Sequence, residues 1–332
     1  MRNHTFFCID GHTAGMPVRM VVGGVPLVSG ANQSQRRQHF IDEFDWIRRA
    51  LMFEPRGHSV MSGSVLLPPT SDEFDLSLIY IETSGCLPMC GHGTIGSVTF
   101  AVEHGLVAPK TPGLVRVETP AGHVDAHYEM KGDKVTGVRF TNVPSFLLYR
   151  DHEFDCPELG RLKIDIAYGG NFYPIIEPQE NFSDASDFEP DYLRRLGSQV
   201  FIQLNTELDI VHPLDPTIRD MHHCMWTGKP TVSGADSKNV VIAGEFLIDR
   251  SPCGTGTSAR VAQRYARGLL KEGEAFVHES VIGSTFTGRV EGETTVGNYP
   301  AVYPSVEGWA FVTGHNTIIV DADDPFATGF SV

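Results

Sequence analysis

The sequence has no apolar run long enough to cross a membrane and rather few basic residues. A spanning helix needs about 18 apolar residues, and the first apolar run, residues 6–9, ends at once in Asp10. We therefore expect no signal peptide and no anchor, and a cytoplasmic protein. The 26 basic residues are outnumbered by 41 acidic ones, and the net charge of −15 argues against nucleic acid as a partner.

Cysteine and lysine are also scarce. Six cysteines spread over 332 residues exclude the dense disulfide framework of a small secreted domain. No C-x-x-C pair is present, so we expect neither a thiol–disulfide enzyme nor a structural zinc site, and we predict no metal. None of the seven lysines lies in an evident cofactor turn, so we expect no pyridoxal phosphate and no other cofactor.

What the sequence does contain is one short motif that occurs twice. The pattern Cys-Gly-x-Gly-Thr begins at Cys90 and again at Cys253. Each copy follows a proline and a strand-like run. Each precedes a helix-like segment that should end at a glycine, Gly105 in the first copy and Gly268 in the second. Two such copies indicate a duplicated unit and a paired functional site.

The position of these cysteines predicts their chemistry. A side chain at the start of a helix lies beside free backbone N–H groups and the positive end of the helix dipole. We expect this placement to lower each cysteine pKa from about 8.5 into the range of roughly 3.5–7.5. The same N–H groups can hold a carboxylate. Two such thiols suit removal of a proton from one face of a carbon and return of a proton to the other.

The hydrophobic periodicity predicts an α+β fold with two domains, in each of which an antiparallel-rich sheet wraps around one helix. We place the boundary near residues 142–145. The N-terminal domain then comprises residues 1–146 with the Cys90 half-site, and the C-terminal domain comprises residues 147–332 with the Cys253 half-site. Predicted helices cover residues 34–52 and 187–208 and the segments after the two cysteines. Predicted strands cover residues 5–10, 18–22, 60–68, 74–82, 115–119, 124–128, 135–141, 162–167, 223–226, 240–248, 284–290, 294–302 and 310–320.

The segments around both cysteines resemble the two signatures of the proline racemase family. Residues 89–96 and 249–257 carry the resemblance, and residues 9–15 and 54–58 support it. Met16 is a departure, since many members have glutamate there. The resemblance spans essentially the whole chain. It implies a fold of the diaminopimelate epimerase type, two pseudo-symmetric domains with the active site in the cleft between them, and epimerisation of an amino acid without a cofactor.

The resemblance also implies roles for individual residues. Cys90 and Cys253 would be the two acid/base residues. The residues implied to bind the substrate are Gly91, His92, His223, Asp249, Gly254 and Thr255. The carboxylate would be bound largely through backbone N–H groups, the ring ammonium by Asp249 and the ring by His223.

Simpler roles stand beside these. Asp249 is also suited to cap a turn before Pro252. His92 acts through its backbone alone or also through its imidazole. His223 contacts the ring or is an ordinary strand histidine, and its neighbour His222 shares the sequence signal.

The substrate is inferred from position 253. Members of the family with threonine there dehydrate trans-3-hydroxyproline, whereas this chain has Cys253. It therefore resembles the racemase and epimerase branch, most closely the members that interconvert trans-4-hydroxy-L-proline and cis-4-hydroxy-D-proline. Proline is the alternative substrate, and His223 and Ser64, if they line the cleft, favour a hydroxylated ring. The expected partner is this small molecule, bound by a monomer or a homodimer.

Overall fold

The computed structural model describes residues 3–245 and 247–331. Its internal contacts divide the chain into two compact units. Unit 1 contains the residues up to Phe140 and those from Gly308 onward, and unit 2 contains Thr141–Glu307. No helix within the described ranges is both long and apolar enough to cross a bilayer.

Unit 1 combines two helices with strands from both ends of the chain. In chain order its elements are β1 (His4–Thr13), β2 (Met16–Gly23), α1 (Gln33–Met52), β3 (Ser62–Leu67), β4 (Leu76–Glu82), β5 (Gly85–Leu87), α2 (Gly91–Glu103), β6 (Leu114–Thr119), β7 (Gly122–Lys131), β8 (Lys134–Thr141) and β18 (Ala310–Val320).

Unit 2 combines its own two helices with the intervening strands. In chain order its elements are β9 (Ser145–Cys156), β10 (Gly160–Tyr168), β11 (Phe172–Ile176), a short 3-10 helix (Ala185–Asp187), α3 (Pro190–Glu207), β12 (His223–Gly228), β13 (Ser237–Ala243), β14 (Leu247–Ile248), α4 (Gly254–Ala266), β15 (Ala275–Glu279), β16 (Thr285–Val296) and β17 (Tyr299–Gly308).

The two units share one pattern of strand pairing. In unit 1, β1 pairs antiparallel with β2, β2 parallel with β3, β3 antiparallel with β4, and β4 antiparallel with β5 and parallel with β6, which pairs antiparallel with β7. In unit 2, β10 to β16 repeat these pairings in the same order. The duplication that the repeated motif indicates is therefore present in the topology.

Unit 1 also takes one strand from the other half of the sequence. β18, at the far end of the chain, pairs with β1, whereas β9 pairs with β10, the next strand along the chain. The sequence predicts a single division after residue 146, whereas the contacts group the segment from Gly308 onward with the N-terminal residues. Pairing between segments that are far apart in sequence leaves no local periodicity. The sequence pattern therefore does not predict that β18 belongs to unit 1.

The helices that follow the two cysteines are the buried helices of their units. The α2 residues from Gly91 to Ala101 are buried, and α2 packs on β1, β2, β3, β7 and β18. The α4 residues from Gly254 to Gln263 are buried, and α4 packs on β9, β10, β11 and β16. An amphipathic surface helix would bury only one stripe, so this burial places both helix N-termini in the interior of their units.

Both helices end at the predicted glycines. Gly105 has φ 63° and Gly268 has φ 72°, a left-handed conformation that glycine adopts without strain. The following N–H groups, of Leu106 and Leu269, donate back to the carbonyl five residues earlier at 2.8 Å in both cases. This is the Schellman ending, and the predicted stops are confirmed.

Three local expectations are wrong. The single strand predicted at residues 240–248 is two strands, β13 and β14, which pair antiparallel. The strand predicted at residues 5–10 continues through Gly11 to Thr13 as part of β1. Gly11 is required by close packing, since a Cβ there would lie 2.3 Å from the Phe311 carbonyl oxygen. The strand expected at residues 284–290 continues to Val296, and the reversal into β17 is at Gly297, where φ is 57°.

A buried ion pair between Asp165 and Arg267 stabilises unit 2. Asp165 is 2% exposed, and its carboxylate accepts from Arg267 Nε at 2.5 Å and Nη2 at 2.6 Å. Asp165→Asn leaves this guanidinium partly unpaired, so we expect a loss of about 3 kcal/mol in unfolding free energy, measured by urea denaturation. Glu153→Gln, which breaks an exposed pair with Arg161, is the control and should leave the midpoint unchanged. Equal midpoints for both variants would contradict this role of Asp165.

Candidate active site

Cys90 caps the N-terminus of α2. Its Sγ accepts the Gly93 N–H at 3.3 Å, and its carbonyl accepts the Thr94 N–H at 2.9 Å. A Cβ on Gly93 would lie only 3.0 Å from this sulfur, so glycine keeps the contact open. The predicted position of the sulfur at a helix start is confirmed.

Glu82, at the end of β4, is a neighbour of Cys90 that sequence reasoning missed. It is 3% exposed, and its Oε1 lies 3.4 Å from Cys90 Sγ. Ser62 donates to Oε1 at 3.1 Å and Ser84 donates to Oε2 at 3.0 Å. The available signal was a carboxylate at the end of an otherwise buried strand, LSLIYIE.

The imidazole of His92 points into the same half-site. Its Nδ1 and Nε2 lie 3.5 and 3.6 Å from Cys90 Sγ, and Nε2 lies 2.8 Å from Ser62 Oγ. Burial lowers the pKa of His92, although the nearby Glu82 partly opposes this shift. The neutral imidazole of His92 therefore contacts the Cys90 thiol.

Cys253 caps α4 in the same way. Its Sγ accepts the Gly256 N–H at 3.3 Å and lies 3.4 Å from the Tyr173 hydroxyl. Cys253 itself has φ 64°, an uncommon conformation for a residue with a side chain. Strained residues of this kind concentrate at functional sites, which agrees with the predicted role.

The expected pKa of Cys253 is wrong in direction. Burial raises its pKa well above the ordinary value, and the charge of Asp249 raises it further. Hydrogen bonds from Tyr173, Gly256 and Thr255 lower it, but by less. The helix N-terminus therefore does not outweigh desolvation, and Cys253 is a thiol near neutral pH in this structure.

Tyr173 and Asn171 are further residues that sequence reasoning missed. Tyr173 OH lies 2.6 Å from Thr255 Oγ1, and Asn171 Nδ2 donates to the same oxygen at 3.3 Å. Thr255 Oγ1 lies 3.9 Å from Cys253 Sγ. The sequence feature that could have indicated these two residues is the segment Gly-Gly-Asn-Phe-Tyr, which lies before and within β11.

Asp249 is tied to Cys253 through Ser251. Its Oδ1 accepts from the Ser251 N–H and hydroxyl, both at 2.8 Å, and Ser251 Oγ accepts the Cys253 N–H at 3.1 Å. Burial raises the pKa of Asp249 to about 6, while its bonds with Ser251 lower it. The simpler role as a turn cap is thus present, and it places a carboxylate beside the Cys253 half-site.

The two neighbouring histidines, His222 and His223, differ in solvent exposure. His223, the first residue of β12, is buried, and His222 is exposed. The His223 ring lies 4.9 Å from the Tyr173 ring, centroid to centroid. His223 therefore belongs to the Cys253 half-site. Ser64, by contrast, lies in unit 1 with its hydroxyl 2.7 Å from that of Ser97.

The strand register shows how the half-sites differ. Ser62 pairs with Glu82 across β3 and β4, and in unit 2 the equivalent pair across β12 and β13 is His223 with Ala243. Gly91 and Gly254 both begin their helices, in the first turn whose N–H groups lack intrahelical partners. The second residue of each helix is His92 in unit 1 and Thr255 in unit 2. The strands and the helix start that position the cysteine are duplicated, whereas the polar side chains around the two sulfurs differ.

Known proteins are similar to this chain in sequence and in fold. A model of the proline racemase family matches residues 8–331. A 4-hydroxyproline 2-epimerase from Ancylobacter novellus is 56% identical over 332 residues, which cover all of both chains. The crystal structure of a hydroxyproline epimerase from Agrobacterium vitis with bound trans-4-hydroxy-L-proline has a TM-score of 0.91 at 29% identity, covering 99% of this chain and 96% of that one. A PhzF-family phenazine biosynthesis protein from Bacillus anthracis shares the fold at a TM-score of 0.62 and 15% identity, covering 96% and 99%.

Proposed function

Because this chain belongs to the proline racemase family, we propose that it epimerises 4-hydroxyproline at the α-carbon, interconverting trans-4-hydroxy-L-proline and cis-4-hydroxy-D-proline. The observation that carries the mechanism is a buried cysteine at the N-terminus of the buried helix in each unit. The names of full-length relatives above half identity support the substrate.

The proposed reaction needs one thiolate and one thiol. The thiolate takes the α-proton from one face of the substrate carbon, and the thiol gives its proton to the opposite face, so that the two sulfurs exchange protonation states in each turnover. Cys253, whose pKa burial raises, suits the thiol role in one direction. N–H groups at both helix starts, from Gly91, His92, Gly254 and Thr255, would bind the carboxylate and stabilise the developing negative charge.

Asp249 would bind the ring ammonium and thereby adjust Cys253. Its negative charge raises the pKa of Cys253. A cation paired with Asp249 would offset that effect, so substrate binding would bring Cys253 closer to a thiolate. In this proposal the substrate itself helps to prepare the base for the reverse direction.

The raised pKa of Asp249 predicts an acidic limb in the pH profile. In the free protein the carboxylate loses its charge as the pH falls through about 6, and only the charged form attracts an ammonium group. We expect kcat/KM to decrease tenfold per pH unit below about 6, with most of the change in KM. Profiles at constant ionic strength test this, and a profile flat down to pH 5 would contradict it. The limb should be absent from Asp249→Asn.

Two other reactions remain as alternatives. Proline racemisation would use the same thiols, but a buried His223 beside Tyr173 favours a ring that carries a hydroxyl group. Dehydration of trans-3-hydroxyproline is less favoured, since position 253 is cysteine.

Part of the same proposal is the diaminopimelate epimerase-like arrangement, with the substrate in a cleft between two domains. The cytoplasmic location and the choice between monomer and homodimer stay predictions.

Incubation with three substrates in parallel tests the function. Trans-4-hydroxy-L-proline, L-proline and trans-3-hydroxy-L-proline are supplied separately, and products are separated by chiral chromatography. We expect epimerisation of the first at the highest kcat/KM. Preferential inversion of L-proline would establish the racemase instead, and loss of water from the third would establish the dehydratase.

A further inference from the structure

Three metal-binding donors converge in unit 1. Cys90 Sγ, a ring nitrogen of His92 and a carboxylate oxygen of Glu82 all lie within 4.8 Å of one another. The separations are 3.4 Å from Sγ to Oε1, 3.6 Å from Sγ to Nε2, and 3.9 Å from Nε2 to Oε1. With zinc bonds of about 2.0–2.3 Å, the edges of a tetrahedral site measure about 3.3–3.6 Å. The donors therefore nearly match one face of such a tetrahedron.

The chemistry of the three groups suits a divalent cation. A thiolate and a carboxylate facing one another across 3.4 Å repel each other when both are charged, and a cation between them removes this repulsion. An imidazole nitrogen, a thiolate sulfur and a carboxylate oxygen are all ordinary ligands of Zn²⁺. Ser62 Oγ, 2.8 Å from His92 Nε2 and 3.1 Å from Glu82 Oε1, holds both side chains in this orientation.

We propose that Glu82, Cys90 and His92 form a binding site for Zn²⁺ or a similar thiophilic divalent cation, and that the bound ion withholds Cys90 from acid/base chemistry. Three protein ligands leave one tetrahedral position for water, unlike a closed structural site. The ligands come from the end of β4 and the start of α2, so no paired-cysteine motif marks them in the sequence. The ion binding stands by itself, whereas the inhibition rests on the proposed function.

Unit 2 supplies a control within the same molecule. Cys253 has the same place at the start of its helix as Cys90, and each sulfur accepts an N–H at 3.3 Å. The positions equivalent to Glu82 and His92 hold Ala243 and Thr255, neither of which is a metal ligand of this class. An ion that recognised only a cysteine at a helix start would bind both half-sites, whereas the proposed site binds one.

Cobalt is the probe, because Co²⁺ reports thiolate coordination by a charge-transfer absorption band that Zn²⁺ lacks. Full-length protein is freed of metals with a chelator and titrated with Co²⁺ alone. We expect the band to saturate at one ion per chain, in the wild type and in Cys253→Ser, and to be absent from Cys90→Ser. Saturation at two ions, no band in the wild type, or a band that survives Cys90→Ser would overturn the proposal.

Glu82→Gln gives a second, nearly isosteric test that retains both cysteines. We expect it to weaken Co²⁺ binding at least about tenfold, because it replaces a charged ligand with a neutral amide. Unchanged affinity would remove Glu82 from the site. Circular dichroism of every variant establishes that it is folded before its titration is interpreted.

Inhibition is measured separately. We expect Zn²⁺ to inhibit epimerisation and trans-4-hydroxy-L-proline to relieve the inhibition competitively, since ion and substrate need the same sulfur. Cobalt binding at Cys90 without inhibition of a measurable activity would overturn the inhibitory role and leave the ion site. A protein inactive toward all three candidate substrates would count against the proposed function, while the Co²⁺ titration would still decide the binding site.

Discussion

Cys90→Ser and Cys253→Ser are each expected to lower kcat/KM for epimerisation by about 10³-fold or more. A serine hydroxyl is far less acidic than a thiol, so it can neither store the α-proton nor exist as the base near neutral pH. The substitution of serine for cysteine is nearly isosteric. A serine oxygen can also accept the N–H of Gly93 or Gly256, so helix capping should persist.

The matched control is Cys156→Ser. Cys156 is also buried, but its Sγ contacts the Pro157 carbonyl oxygen, so the substitution changes a buried thiol without touching either half-site. We expect near wild-type activity. Chiral chromatography of the reaction mixtures measures all three variants. Substantial activity in either Cys90→Ser or Cys253→Ser would exclude a mechanism that needs both thiols.

Asp249→Asn should produce the second large effect, a decrease of about 10²-fold in kcat/KM that is carried mostly by KM. The amide removes the charge that the ring ammonium would meet, and charge-assisted contacts are the strong ones. Its Oδ1 can still accept both hydrogen bonds from Ser251. The turn before Cys253 should therefore keep its shape.

Asp184→Asn is the control for this substitution. Asp184 is likewise buried, and it accepts the backbone N–H groups of Ser186 and Lys229, none of which belongs to the candidate site. We expect unchanged kinetics from it. If Asp249→Asn bound the substrate as well as the wild type does, Asp249 would be only a turn residue.

The features that could be predicted from sequence are those with a local cause. A helix begins after Cys90 and after Cys253 because each precedes a glycine-rich helical start, and each helix stops where Gly105 or Gly268 adopts positive φ. His223 is buried and His222 is exposed, a difference between the two neighbours that the sequence alone did not predict.

The features that could not be predicted depend on distant contacts. β18 joins the N-terminal half of the chain because of hydrogen bonds to β1, a segment far away in sequence. Glu82 lies near Cys90 only because β4 ends beside the start of α2. The pKa of Cys253 depends on how completely its unit buries it, which overrides the local effect of the helix N-terminus.

The pattern of solvent deuterium incorporation tests the two-thiol mechanism most directly. The protein is incubated in D2O with trans-4-hydroxy-L-proline, and at low conversion the α-position of both epimers is followed by NMR and mass spectrometry. We predict that cis-4-hydroxy-D-proline carries deuterium while the remaining trans-4-hydroxy-L-proline retains its proton, since the thiol that protonates one face has exchanged with solvent. A product that retains the substrate's own proton would show that a single base serves both faces, and would contradict paired roles for Cys90 and Cys253.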